Sequence, residues 1–478
     1  AASNGEQILV FPGTYTSGGT YVVDLKGKDI WLHSTEGANV TVIDGENDHR
    51  VVLCDSGETS STLIEGFTIA NGNSPEGGGV RCSYSSPSFK SCIIENNSAV
   101  SNDGTFSFGG GVFCYESNSL FTDCIIQDNH IDNGFYKGGL GIYCIYSELT
   151  FVDCIIQNNL VTSGANNFGG GIRASYSNVV ISGCQINGNT ASLGAGVGIF
   201  ASQVSLVDTS FNDNIAHYNG GGLHCDAASS ASISGCSFSG NFALGSGSPY
   251  PNGHNIFAID QAAITFANAN DIGDIVSIDF NLLSFSANSN AVAQLYLSDT
   301  DTLVFDLDES NSTSFLSHFG TLFQYGSLAL NNSTQTLLES YVGDTFPLVT
   351  AGGFSDNFES VIFPVMPQGL GLQLIQYPTL RGGDTEIAVE VIEVEGAQFA
   401  NPFSGELDSA PIDIKSFDAD GDGTDEIAVL FGGIPGGVAV YAVSDDAAPS
   451  LIAGFSAEVG SNPVDLDAGD INGDGFED

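Results

Sequence analysis

Short runs in which apolar and polar residues alternate fill most of this chain, and no stretch carries the three-to-four spacing of an amphipathic helix. Such alternation predicts β-strands whose successive side chains face opposite sides. From residue 77 to 241 the strands recur in units. Glycine clusters precede an apolar-x-Cys/Ala triplet six times: "GGGVRC", "GGGVFC", "GLGIYC", "GGGIRA", "GVGIFA" and "GGGLHC". The last glycine of each is residue 79, 111, 141, 171, 198 or 222, so the units step by 32, 30, 30, 27 and 24 residues. A second segment follows in each unit, "CIIENN" in the first, and its sixth residue is always asparagine: Asn97, Asn129, Asn159, Asn189, Asn214 and Asn241. Units this short cannot bury an apolar face alone, so they must stack on one another. The period of two turns Val80, Cys82, Cys92 and Ile94 inward, and Arg81 and Ile93 outward. The recurring asparagine suits a left-handed bend, with its amide bonding to the asparagine one coil above and below.

Those residues resemble the right-handed parallel β-helix, or pectin-lyase-like, family. "NGEQILVFPGTY" and "VTVIDGENDHRVVLC" are similar to that family's first coils, and the resemblance covers roughly residues 1–258. The expected fold class is therefore all-β. Lyases, hydrolases, adhesins and surface proteins all share this superfold, so the resemblance implies no single activity. Residues 259–395 lose the Cys and Asn markers but keep alternation, and 343–377 resembles the closing coils of autotransporter-like passenger β-helices. A continued β-helix or a β-sandwich cap is expected there.

From residue 396 to 478 the chemistry changes. "FDADGDGTDEIAVL" offers Asp418, Asp420, Asp422, the carbonyl of Thr424 and Glu426 as a cage of oxygens, with Gly421 and Gly423 permitting the turn. Fifty-two residues on, "DINGDGFED" repeats the spacing with Asp470, Asn472, Asp474, the Phe476 carbonyl and Asp478. Both patterns point to Ca2+. The first loop runs into the strand-like "EIAVLFGG", not a helix, so the segment resembles the FG-GAP/VCBS type of calcium repeat, which implies β-propeller-type blades. One blade and part of another cannot close a propeller, so the 478 residues read as an excerpt of a longer chain.

Composition narrows the partners. The chain holds 57 acidic against 9 basic residues, a formal charge of -48, yet 42% of it is hydrophobic. A disordered acidic chain would lack that apolar content, so the expectation is a folded, acidic surface. It repels nucleic acid and anionic membranes and attracts divalent cations. No run of apolar residues is long enough to span a membrane.

The 10 cysteines fall between Cys54 and Cys236. Cys82 and Cys92, Cys114 and Cys124, and Cys144 and Cys154 are ten apart, Cys225 and Cys236 eleven, and where Ala201 takes the first position Thr209 takes the second. Four intracoil disulfides are one reading and a stack of free thiols the other. The histidines, His224 in an outward slot among them, read as solvated or turn residues. Between Lys137 and Lys415 only Arg173 and Arg381 are basic, which argues against a cationic cleft for acidic sugars. Asp123, Asp153 and Asp208 form an outward column interrupted by Gly183, the nearest thing to a hydrolase's carboxylate pair. Tyr84, Tyr146 and Tyr176 form another column, able to stack on sugar rings or to pack locally. Sequons at Asn39, Asn96, Asn311, Asn331 and Asn332 allow glycosylation. Together these features lead to an extracellular, non-enzymatic structural or adhesive protein that self-associates into a filament or surface layer. The alternative is a secreted polysaccharide-degrading enzyme with an appended calcium module.

Overall fold

Inward-facing apolar residues on short parallel strands have one place to go, which is the axis of a coil. The computed structural model describes residues 2–101, 104, 106–132, 136–161, 167–245, 253–267 and 270–277, and beyond these only strand segments between residues 282 and 455. Through residue 270 the chain winds as a right-handed parallel β-helix. One coil runs through the strands Leu120–Thr122, Ile125–Gln127, His130–Ile131, Tyr136–Gly138 and Ile142–Ile145. Each pairs in register with its equivalents one coil away, as in Leu120↔Thr150, Ile125↔Ile155 and Ile142↔Ile172. Three of the five strands wall the core. The pair His130–Ile131 and Tyr136–Gly138 belongs to an excursion that leaves the coil and returns to it.

Stacking places like on like along the axis. Phe89, Phe121 and Phe151 are fully buried with ring centroids 4.9 and 5.1 Å apart, and Ile94, Ile126 and Ile156 form a second buried column. Each such side chain contributes about 1.5–3 kcal/mol by leaving water. The corners between strands are made by residues in the left-handed region: Asp123 and Asp153 at φ 53° before the second wall, Asp128 at 54° and Asn158 at 56° after it, and Tyr146 at 51° and Tyr176 at 50° after the third.

These corners correct one expectation. The recurring asparagines are not the bent residues, because the left-handed position falls one residue earlier, at Asn96, Asp128, Asn158, Gly188, Asp213 and Gly240. The asparagines themselves are buried, and their amides bond along the axis as expected. Asn129 Nδ2 donates to Asn159 Oδ1 at 3.0 Å and Asn159 Nδ2 to Asn189 Oδ1 at 2.9 Å. A two-residue shift corrects another. Cys225 is in register with Ile199 and not with Ala201, which instead forms a left-handed corner. Gly196 therefore takes the place of Gly171, and that coil spans 25 residues.

Parallel pairing also joins Ala263–Ala267 to Leu282–Phe285, Thr302–Asp306, Ser327–Asn331 and Ser360–Ile362 in succession. Considered by itself, the later segment contains Pro411–Phe417, Glu426–Phe431, Gly437–Ser444 and Ala447–Phe455, which form a four-stranded antiparallel sheet in chain order.

Candidate functional site

The corner after the third wall carries a row of exposed aromatic residues. Tyr84, Tyr146 and Tyr176 keep 61%, 53% and 49% of their accessible surface, and each is held at φ 50–52°. A bulky residue pays roughly 1–2 kcal/mol to adopt that conformation. Glu116 occupies the same corner in the intervening coil, and Tyr115, one residue earlier, leans in to complete the series. The centroids step 5.2 Å from Tyr84 to Tyr115, 6.1 Å to Tyr146, 5.3 Å to Tyr176 and 5.6 Å to Phe200. Hydrogen bonding to Tyr84 and Glu116 holds the Tyr115 phenol above its usual range. A shallow hollow of about 580 Å³ at the Tyr84 end is lined by Thr59, Ser60, Ser86, Glu116 and Asn118.

A serine ladder anchors this corner. Ser117, Ser147, Ser177, Ser202 and Ser229 are buried, and the backbone N–H of each of the first four donates to the hydroxyl of the next at 3.0–3.2 Å. Sequence reasoning missed it, although a serine follows the corner residue at Tyr84, Glu116, Tyr146, Tyr176, Ala201 and Ala228.

The acidic column does not form an extended carboxylate array. Asp123 and Asp153 occupy adjacent coils, but Asp208 lies between Gly183 and Gly235. A side chain at Gly183 would collide with Asp153 Oδ1, and one at Gly235 with Asp208 Oδ1. Each of these two aspartates thus lies over the next coil's turn, where glycine makes room.

All ten cysteines are buried free thiols, and the four intracoil pairs are not joined. They align between coils instead. Cys54, Cys82, Cys114 and Cys144 are in register on the third wall. Cys92, Cys124, Cys154 and Cys184 stand just before the second, and there Cys154 N–H donates to Cys184 Sγ at 3.3 Å. Burial raises the thiols of Cys144, to about 12, and of Cys236, which keeps them protonated.

Among the sequons, Asn39 and Asn96 are exposed, while Asn311, Asn331 and Asn332 have no described side chains. The calcium loops also lie outside the described residues. Only the backbone of Glu426 is placed, at the start of the strand Glu426–Phe431, where it pairs with Phe417.

The outward column of the third wall reads Arg81, Phe113, Tyr143, Arg173, Gly198, His224 and Phe257. Several of these outward residues are buried, because the returning excursion strands Phe106–Phe108, Tyr136–Gly138 and Asn167–Phe168 cover them. His224 is 3% exposed and stacks on Phe257 at 5.4 Å, which overturns its reading as a solvated residue. Desolvation and then the neighbouring Arg173 charge push its pKa down to about 3. Arg173 retains 8% of its surface, with its guanidinium 4.9 Å from the Phe168 ring and 5.6 Å from Phe200. No acceptor among the described residues reaches its Nη1. Burying a charge without a partner costs on the order of several kcal/mol, and the two rings offset about 2 kcal/mol of it. Lys137, 36 positions earlier in the chain, lines the same cavity of about 270 Å³. Scattered spacing along the chain hid this convergence, and no sequence signal marks it.

A family model described as a right-handed beta helix region matches residues 105–271. That span includes the asparagine ladder from Asn129 onward, most of the tyrosine corner and the Arg173 cavity. No curated protein matches the chain.

Proposed function

We propose that this protein is an extracellular structural or adhesive rod whose tyrosine corner holds a neutral polysaccharide lying along the coil axis. The supporting observation is the series Tyr84, Tyr115, Tyr146, Tyr176 and Phe200, with centroids 5.2–6.1 Å apart. A coil rise of about 4.8 Å dictates that spacing, and an extended glycan advances by one sugar ring over a similar distance. Half-exposed tyrosines present an apolar face together with a polar tip, which suits a sugar ring. The formal charge of -48 disfavours an acidic polymer on this open surface. Self-association into a filament or surface layer, and Ca2+ at the two C-terminal loops, belong to the same proposal. Its support there is the antiparallel four-stranded sheet around the first loop, as a propeller-type FG-GAP/VCBS blade requires.

The test is retention on insoluble cellulose, chitin and xylan, with the soluble fraction analysed for released sugars. Retention by wild type and its loss in Tyr146→Gly and Tyr176→Gly is the expected result. Glycine relieves the left-handed backbone, so these variants lose binding without losing stability. Equal retention of the variants, or no retention on any polymer, overturns the proposal. Release of sugars replaces it with the polysaccharide-degrading alternative, centred on Asp123 and Asp153, the adjacent pair in the acidic column.

A further inference from the structure

The cavity between the outer wall and the returning excursion strands holds a guanidinium with no close ion-pair partner among the described residues; the Asp226 carboxylate acts on it only from beyond salt-bridge distance. Its apolar walls are Phe106, Phe108, Tyr143 and Phe168, and its cationic groups come from Arg173 and Lys137. Phe108 stacks on Tyr143 at 4.7 Å, so part of the wall is a fixed aromatic plane. The Lys137 ammonium lies 3.5 Å from the Asp132 carbonyl oxygen and is 4% exposed, which fixes it in place. Gly198, one coil on from Arg173, lies against it: a Cβ there would sit 3.2 Å from Gly169 N and 3.5 Å from Nη1. Arg81, three coils away in the same outward column, contrasts with Arg173. It meets Glu76 at 3.5 Å and Asp55 at 3.9 Å. Arg173 has aromatic rings where Arg81 has carboxylates.

We infer that this cavity binds a small ring-bearing carboxylic acid, its carboxylate on the Arg173 fork beside Lys137 and its ring against Phe108, Tyr143 and Phe168. A guanidinium presents parallel N–H donors that match the two oxygens of a carboxylate. Aromatic walls select for a flat apolar body over a bare anion. The volume falls below the roughly 300–1,000 Å³ of sites for drug-sized ligands, so the ligand is a single ring and not a polymer. This site is separate from the tyrosine corner, and the failure of either proposal leaves the other standing. In a chain with 9 basic residues, two of them lining one open pocket is the local exception to an acidic surface.

The experiment is titration calorimetry of the whole chain with four probes: benzoate, its neutral amide benzamide, acetate and inorganic phosphate. Saturable 1:1 binding of benzoate is expected, with benzamide and acetate each at least about tenfold weaker and phosphate weaker still. The ligand comparison needs no variant, so it survives any folding defect. Arg173→Gln should weaken benzoate by about tenfold or more, Arg173→Lys by less, and Lys137→Gln by a few-fold. Benzamide binding as tightly as benzoate overturns the inference, as does no saturation below about 10 mM. A folded Arg173→Gln protein that binds benzoate like wild type does the same. If phosphate equals benzoate, the site is a general anion hole and the ring contacts assigned here are wrong.

Discussion

Replacing Asn159 with alanine tests whether the asparagine ladder holds the coils together. Its Nδ2 donates to Ile126 O at 3.0 Å and to Asn189 Oδ1 at 2.9 Å, while its Oδ1 accepts from Asn129 N at 3.1 Å and Asn129 Nδ2 at 3.0 Å. Every donor and acceptor position of the amide is used. Alanine removes all four bonds at a position with no exposure. At a net value of about 1 kcal/mol each, the loss is about 4 kcal/mol, and stranded partners deprived of water push it upward. Stacked coils feel a defect chiefly through their neighbours, so a global measurement needs a local one beside it. Urea unfolding followed by circular dichroism gives the first. Hydrogen exchange at the Asn129 amide, which loses its acceptor, gives the second. Asn158→Gly is the matched control, since Asn158 is exposed at φ 56° and glycine already holds the equivalent corner at Gly188 and Gly240. It should change stability by no more than about 0.5 kcal/mol, in either direction. The reasoning fails if Asn159→Ala costs less than about 1 kcal/mol and leaves the Asn129 amide protected.

Three further outcomes follow from the same geometry. His224 has a folded pKa depressed to about 3 against an ordinary value of 6.5, so the unfolded chain binds the extra proton between those values and stability falls as pH drops through that window. Wild type should lose about 2 kcal/mol more than His224→Phe between pH 6 and pH 4, read from urea midpoints, and equal slopes refute the assignment. Native protein should leave a thiol reagent unreacted, and unfolding without reductant should expose all 10 thiols; fewer in the denatured chain would mean that disulfides exist. Electron microscopy with and without a calcium chelator tests assembly: filaments that loosen on chelation support it, and isolated particles in both conditions sink it.

The coil itself was legible because stacking forces repetition, and repetition is what a sequence displays. Asn97 to Asn241 and the Cys–Ile alternation reported the walls correctly, as did the glycine clusters apart from the two-residue slip at Gly196. What misled was local. The asparagine was credited with the bend because asparagine tolerates that conformation, yet the residue before it takes the strain and the amide is spent on the ladder. The cysteine spacing of ten offered partners within a coil or a stack of free thiols, and in-register stacking sets Cys54, Cys82, Cys114 and Cys144 over one another. Outward register was equated with solvent for His224, which is buried with its ring stacked on Phe257. The meeting of Lys137 with Arg173 left no trace in the sequence, because the residues lie on an excursion strand and a wall strand of adjacent coils.

Periodicity also explains why the two kinds of surface differ. Where coils repeat, an exposed position becomes a column of similar groups at a spacing set by the backbone, which suits a ligand that repeats as well. The tyrosine corner has that character. A site for one small molecule needs the repeat to fail, and it fails beside Arg173. The strand Asn167–Phe168 returns over the wall as Phe106–Phe108 and Tyr136–Gly138 do, but in the next coil the single strand Thr190–Leu193 pairs with both Leu160–Val161 and Asn167–Phe168. That coil takes 25 residues from Gly171 to Gly196 where the preceding one takes 30 from Gly141 to Gly171. The shortened excursion places Gly198 where the column would otherwise present a side chain, and the guanidinium of Arg173 lies over it. The longer excursions thus supply Phe106, Phe108, Lys137 and Phe168 to the open pocket beside Arg173, and the next, shortened coil supplies none of its lining.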